Sequence, residues 1–281
     1  MTIKWMRGGC VLALALVSAA AAWAKGPQDD PDKYRPLDVE NSILIETSKG
    51  PVVVEMYPEV APLAVARVKE LARKNFYDGL KFHRVIDGFM AQGGDPKGDG
   101  SGGSELPNVK GEFTMRRDAS FELRSVANPA GSVIGFHKML PMQSQPNGVM
   151  MMMADKKASA WPLFCPGVAA MARSDSPDSA NSQFFLMRGA YPSLEKRYTA
   201  FGRVVMGQEA VNLLPIGEPP ASPGIMKSVR VVADLPEAQR PKLFVIRTDS
   251  DAFDDRIKDA RKDEKADFSA CDVTPKAKLA E

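Results

Sequence analysis

The chain has 281 residues, of which 37 are basic and 35 acidic, and 44% are hydrophobic. That is enough apolar content for a domain-sized core, and the near-neutral balance gives no reason to expect electrostatic capture of nucleic acid. Cys165, Cys271, His83 and His137 lie too far apart in sequence to suggest a metal site, and no cofactor is expected.

Residues 1–24 carry Lys4 and Arg7, then an uncharged run over 10–24 that ends in the small-x-small arrangement of Ala22, Trp23 and Ala24. This pattern predicts a secretory signal removed by signal peptidase. The apolar run is short for a bilayer span, and Cys10 precedes it, whereas a lipoprotein cysteine would follow. The expectation is an exported, periplasmic monomer with no integral membrane segment after cleavage, left with 35 basic and 35 acidic residues. In an oxidising compartment Cys165 and Cys271 are free to pair and tie the tail to the body; two separately buried thiols are the alternative.

Residues 25–40, rich in Asp, Pro and Lys, read as a flexible leader. Residues 43–46 and 52–56 read as two strands of a hairpin joined by Ser48, Lys49 and Gly50. Pro62 suits the first turn of a helix in which Ala64, Val68, Leu71 and Ala72 form one stripe, with Arg67, Lys69, Glu70 and Arg73 outside it. Such a helix should cover an open end of a sheet. Residues 82–86 then alternate as a half-buried strand, Asp87 and Gly88 turn the chain, and residues 89–92 resume extended structure. That hairpin would offer Arg84, Phe89, Met90 and Gln92 to one ligand, although periodicity alone fits an ordinary hairpin with a surface arginine at least as well. The glycine-rich run over 97–103 lacks the ending of a nucleotide-binding P-loop, so it reads as a loop whose backbone approaches a ligand closely.

Residues 112–117 and 131–136 are candidate strands. The four methionines at 150–153 would alternate between faces of a strand and could not converge on one soft metal ion, so they are assigned to core packing. Residues 167–172, 181–186, 198–205 and 228–232 complete a set of short strands, with a helical turn over 210–214; many short strands with interleaved turns favour a barrel over a helical fold. Beyond Leu235 the composition changes: residues 243–246 are a brief apolar run, and 249–265 alternate charges as a solvated helix does. Residues 235–281 therefore read as an extension, not a second catalytic domain.

The run FHRVIDGFMAQGGD over 82–95 resembles the signature of the cyclophilins, the cyclosporin-binding family of peptidyl-prolyl cis-trans isomerases. GSGG at 100–103, VAAMA at 168–172, SQFF at 182–185 and FGRV at 201–204 resemble that family's later motifs, in order and at nearly its usual separations. The resemblance covers residues 41–234, apart from much of an insertion over about 114–165. It implies a closed eight-stranded antiparallel barrel capped by helices, mainly β, with a packed interior and the substrate groove on the outer face. Carried over position by position, the family's site falls on Arg84, Phe89, Met90, Gln92, Ala172, Gln183, Phe185 and Leu194. Ser193 stands where many eukaryotic members have tryptophan, and Tyr198 where they have histidine, a replacement that looks like the bacterial branch. Cyclosporin binding is not expected without the indole, and the long insertion should add a lid or a wall to the groove.

These residue types suit amide rotation. The barrier about an amide bond is about 18–20 kcal/mol because nitrogen conjugation must be broken midway, so an enzyme need only bind the twisted form best, without nucleophile, metal or titrating base. Arg84, a permanently charged fork of donors, suits the prolyl carbonyl, and Gln92 can clamp the backbone beside the rotating bond. Phe89, Met90, Phe185 and Leu194 would hold the proline ring. Tyr198 is assigned to binding, because a phenol of ordinary pKa, about 10, is poorly matched to proton transfer. Strand alternation turns His83 away from Arg84, so it is expected to be structural. The implied function is isomerisation of Xaa-Pro bonds in proline-containing, unfolded or flexible exported polypeptides; the alternative is a peptide-binding or chaperone module that keeps the barrel without turnover.

Overall fold

The computed structural model describes residue 28 and residues 30–262, 268–274 and 277–280. Residues 1–24, expected to be an export signal, lie outside the described residues, as do 25–27 and 29 of the leader. The first element is β1 (Tyr34–Pro36), followed by the hairpin of β2 (Ser42–Thr47) and β3 (Gly50–Met56). The hairpin pairs Thr47 with Gly50, whose φ of +125° only glycine adopts without strain. Helix α1 (Pro62–Arg73) starts on proline and buries Ala64, Val65, Val68, Leu71 and Ala72. Its own N-cap, Ala61, offers no side-chain acceptor. The Glu112 carboxylate supplies one from afar, accepting from the Leu63 and Ala64 amides at 2.9 Å each.

After α1 come β4 (Arg84–Ile86) and β5 (Met90–Gly93), then the insertion with β6 (Met115–Arg117), β7 (Arg124–Ala127), β8 (Val133–His137), β9 (Leu140–Ser144), α2 (Asn147–Met152) and β10 (Ala158–Pro162). The chain returns through β11 (Val168–Met171), β12 (Phe184–Met187), a 3-10 turn at Pro192–Leu194, β13 (Ala200–Met206), α3 (Gln208–Asn212) and β14 (Met226–Val231). The extension adds β15 (Leu243–Ile246), α4 (Asp251–Lys262) and β16 (Ala277–Leu279).

The main sheet has eight antiparallel strands in the order β14-β2-β3-β13-β11-β12-β5-β4. It curves into an open half-barrel. No strand ladder joins β4 to β14, so the implied closed barrel is not seen as a continuous ring; isolated bridges at Lys81 with Ile225 and Val85 with Gly217 span the seam. The facing segment holds Pro215, Pro219, Pro220 and Pro223, and prolines cannot donate the amide hydrogens that a ladder needs.

The insertion is a second sheet, ordered β6-β10-β9-β8-β7, and the third, β1-β15-β16, joins leader to tail. Two expectations are corrected here. The leader is ordered from Tyr34 onward, because Tyr34 and Leu37 are buried and Arg35 grips the buried carboxylate of Glu55 at 2.6 and 2.7 Å. The methionine run is not a core strand: Met150 alone is buried, within α2, while Met151 and Met152 are 80% and 84% exposed. Methionine, unbranched at Cβ, is a good helix former, so the run turns readily into helix.

Two apolar cores result. One fills the half-barrel, with Ile43, Ile45, Val54, Phe82, Val85, Phe184, Leu186 and Phe201. The other lies on the outer face, where Met90, Phe164, Phe185 and Leu194 join insertion residues such as Phe136 and Met142 and tail residues such as Phe253 and Val273. Arg203 of β13, fully buried, donates to the carbonyls of Met139, Pro166 and Val273, one guanidinium gripping insertion, barrel and tail. Burial without a carboxylate partner pushes it down to about 10. A disulfide between Cys165 and Cys271, 106 residues apart, closes the same junction.

Candidate active site on the outer face

Strand alternation decides which side chains reach the outer face. Val85 and Ala91 enter the interior core, which turns Arg84, Met90 and Gln92 outward; Phe184 and Leu186 do the same for Phe185 and Met187. The antiparallel register then sets Arg84 across from Gln92 on β5, and Gln92 across from Phe185 on β12. Three neighbouring strands thus place a cation, an amide and an aromatic ring in one row.

Arg84 is 40% exposed at its side chain; its Nε donates to Glu218 Oε2 at 2.6 Å, and its Nη1 lies 3.5 Å from Gln92 Oε1. Gln92 Nε2 donates to Gln183 Oε1 at 2.9 Å, and Gln183 Nε2 donates to the Gly100 and Gly102 carbonyls at 2.9 and 2.7 Å. The Ala172 amide donates to the Gln183 carbonyl at 2.9 Å. The glycine-rich loop therefore approaches the site through its backbone, and it is wound on Asp95, whose carboxylate accepts from the Lys97, Asp99 and Gly100 amides. Burial alone would raise Asp95, but those backbone donors hold it below the usual carboxylate range. A cavity of about 360 Å³ opens here, lined by Gln92, Gly100, Gly102, Ala172, Arg173 and Gln183 among others.

Beside this polar row lies an apolar floor. Met90, Phe185 and Leu194 are buried there, with Phe89 and Tyr198 half-buried against them. Tyr198 meets Phe185 edge-on, ring centroids 5.9 Å apart. All nine expected site residues are thus brought onto one face. His83 is buried on another side, under the glycine loop, with neither ring nitrogen hydrogen-bonded, and burial lowers its pKa so that it stays neutral near pH 7. Among the described residues no cluster of three or more His, Cys, Asp or Glu side chains is placed to hold a metal ion.

Four neighbours were not singled out from sequence. Tyr191, exposed, packs at a tilt against Phe89 with centroids 4.3 Å apart, two residues before the exposed Ser193. Phe164, from the end of the insertion, stacks on Phe185 at 6.3 Å and so forms an added wall. Arg173 lies over the Tyr198 ring at 4.6 Å. Glu218 holds Arg84 from a proline-rich loop. Tyr191 carried a usable signal, an aromatic residue two positions before Ser193, and Arg173 directly follows Ala172; Phe164 and Glu218 reach the site only through long-range folding.

A mainly β half-barrel with a groove of this kind on its outer face is the cyclophilin fold. The family model described as cyclophilin type peptidyl-prolyl cis-trans isomerase/CLD matches residues 42–232, and the chain belongs to that family, as a peptidyl-prolyl cis-trans isomerase. A probable peptidyl-prolyl cis-trans isomerase of Brucella suis is 31% identical over 212 residues, covering 72% of this chain and 85% of that one. The human peptidyl-prolyl cis-trans isomerase-like 1 is 30% identical over 206 residues, 73% of this chain and 96% of its own. Among solved structures, the cyclophilin AquaCyp293 from Hirschia baltica superposes with a TM-score of 0.84 at 35% identity, covering 90% of this chain and 96% of that one. That coverage runs well past residues 42–232, into the leader or the extension.

Proposed function

We propose that the chain speeds rotation about Xaa-Pro bonds in exported polypeptides as they fold, in the periplasm, with Arg84 polarising the twisted prolyl amide. The observation that carries this reading is the side-by-side placement of a part-exposed guanidinium and an apolar floor on one face. Proline's ring rests on Met90, Phe185 and Leu194, flanked by Phe89. As conjugation breaks, the lone pair returns to the nitrogen, which becomes pyramidal and can accept a hydrogen bond, so a fixed donor fork beside it is worth most midway through rotation. Gln92, itself held by Gln183, clamps the adjacent backbone, and Tyr198 borders the floor. The export pattern of residues 1–24 and the Cys165–Cys271 disulfide support an oxidising compartment. With Ser193 exposed where an indole would be needed, cyclosporin binds weakly.

Proline-limited refolding of a client protein tests this. The wild-type chain accelerates the slow phase, and Arg84→Ala loses about 100-fold or more of that acceleration. Saturable binding of proline peptides with no acceleration by the wild type sinks the reading in favour of a peptide-binding module. No step requires a titrating side chain, so the rate is flat from about pH 6 to 8; a bell centred near neutrality would point to a histidine.

A further inference from the structure

Glu218 lies in a loop that the sequence marks only as Gly217, Glu218, Pro219 and Pro220, outside every motif of the site. Its place is nonetheless fixed. Val85 and Gly217 exchange both backbone hydrogen bonds, each 2.9 Å, which pins the loop to β4 one residue from Arg84. Gly217 has φ +154°, and a Cβ there would meet Pro220 Cα at 2.4 Å, so the tight path of the loop needs glycine. The consequence is a carboxylate held 2.6 Å from Arg84 Nε.

This contact does little for folding. Both side chains are open to solvent, 40% and 52% exposed, and an exposed ion pair adds little stability. Arg84 is the only hydrogen-bond partner of the Glu218 side chain among the described residues, and Gln92 at 3.5 Å is a long partner on the other side. A flexible arginine with one weak restraint would sample many rotamers. A charge-assisted bond to Nε biases the side chain toward one rotamer while leaving Nη2 without a partner among the described residues, available to a carbonyl oxygen.

We propose that Glu218 is a positioning residue for isomerisation: its carboxylate fixes the Arg84 guanidinium from the Nε side so that the terminal nitrogens meet the prolyl carbonyl as the amide twists. The proposal rests on Arg84 being the catalytic group. Misplacement of a catalytic group by an ångström commonly costs a large factor in turnover with little change in binding. Glu218→Ala therefore lowers kcat about 10-fold and shifts KM less than about 2-fold, whereas Glu218→Gln, which keeps an acceptor but not the charge, recovers part of the loss.

The test measures kcat and KM on a proline peptide for the full mature chain, Glu218→Ala, Glu218→Gln and Arg84→Ala, together with the 15N resonance of Arg84 Nε–H. The expected result is an Nε–H protected from solvent exchange in wild type, partly in the Gln variant and not in the Ala variant, in step with kcat. A wild type that slows in Arg84→Ala but not in Glu218→Ala overturns the role of Glu218 alone. Faster turnover in Glu218→Ala also overturns it, since the carboxylate would then be withholding the arginine. Equal rates in all four proteins overturn both this role and that of Arg84.

Discussion

The two walls of the groove are built in opposite ways. The wall bearing Arg84, Phe89, Met90 and Gln92 is a hairpin of consecutive residues, held by a register in which Arg84 faces Gln92 and Ile86 faces Met90. The other wall, with Phe164, Tyr191, Leu194 and Tyr198, rests on an outer core that the insertion and the tail complete. That core is closed by a disulfide spanning 106 residues and by Arg203, whose three carbonyl partners come from segments far apart in the chain. Local pairing builds the first wall, and distant clamps build the second. Substitutions in the first should strike turnover while sparing the fold; those in the second should strike the fold first and the groove through it.

The largest effect on stability should come from the disulfide. Closing a loop of about 100 residues removes enough chain entropy to contribute several kcal/mol, so Cys165→Ser with Cys271→Ser should cost about 2–4 kcal/mol and lower Tm by roughly 10 °C, read by calorimetry. An unchanged Tm would mean that the tail docks equally well without it, and the second wall would then need no long-range clamp.

A smaller effect concerns the junction of barrel and insertion. Glu59, in the turn before α1, accepts from His137 Nε2 at 2.7 Å and pairs with Lys138 Nζ at 2.6 Å. Burial opposes its charge, but these two donors outweigh it and hold its carboxyl at about 2. The native state thus favours ionised Glu59. Its stabilisation is complete above the ordinary value of 4.5 and is lost as pH falls from there through about 2. Partly solvated, the group should contribute on the order of 1–2 kcal/mol, and Glu59→Gln should flatten the stability profile over that window in denaturant titrations. An unaltered profile would remove Glu59 from the junction.

The smallest effect is expected at α2. Met151→Ser and Met152→Ser should each change stability by less than about 0.5 kcal/mol, because both side chains already lie in solvent, whereas Met150→Ser should cost well over 1 kcal/mol. Equal losses at all three positions would restore the methionine run to the core.

The same contrast explains what the sequence made legible. The first hairpin, α1 with its N-terminal proline, and the strands at 84–93, 168–171, 184–187 and 200–206 are readable because each carries its own period and its own turn residues. The nine expected site residues follow from ordered motifs on those strands and in the loops beside them. Residues 124–127, 140–144 and 158–162 form strands that periodicity does not disclose: the first is largely exposed, and the second and third are buried on both faces. The leader reads as flexible because nothing local reveals that Arg35 meets Glu55. Glu218 is silent for the same reason, since 134 residues separate it from Arg84.

The most direct measurement is exchange NMR on a proline-containing peptide with wild type and Arg84→Lys, which keeps the charge but not the planar fork. The account predicts that both proteins bind the peptide with similar affinity, while the wild type speeds cis-trans exchange and the lysine variant loses most of that acceleration. Equal exchange rates in the two proteins would contradict it.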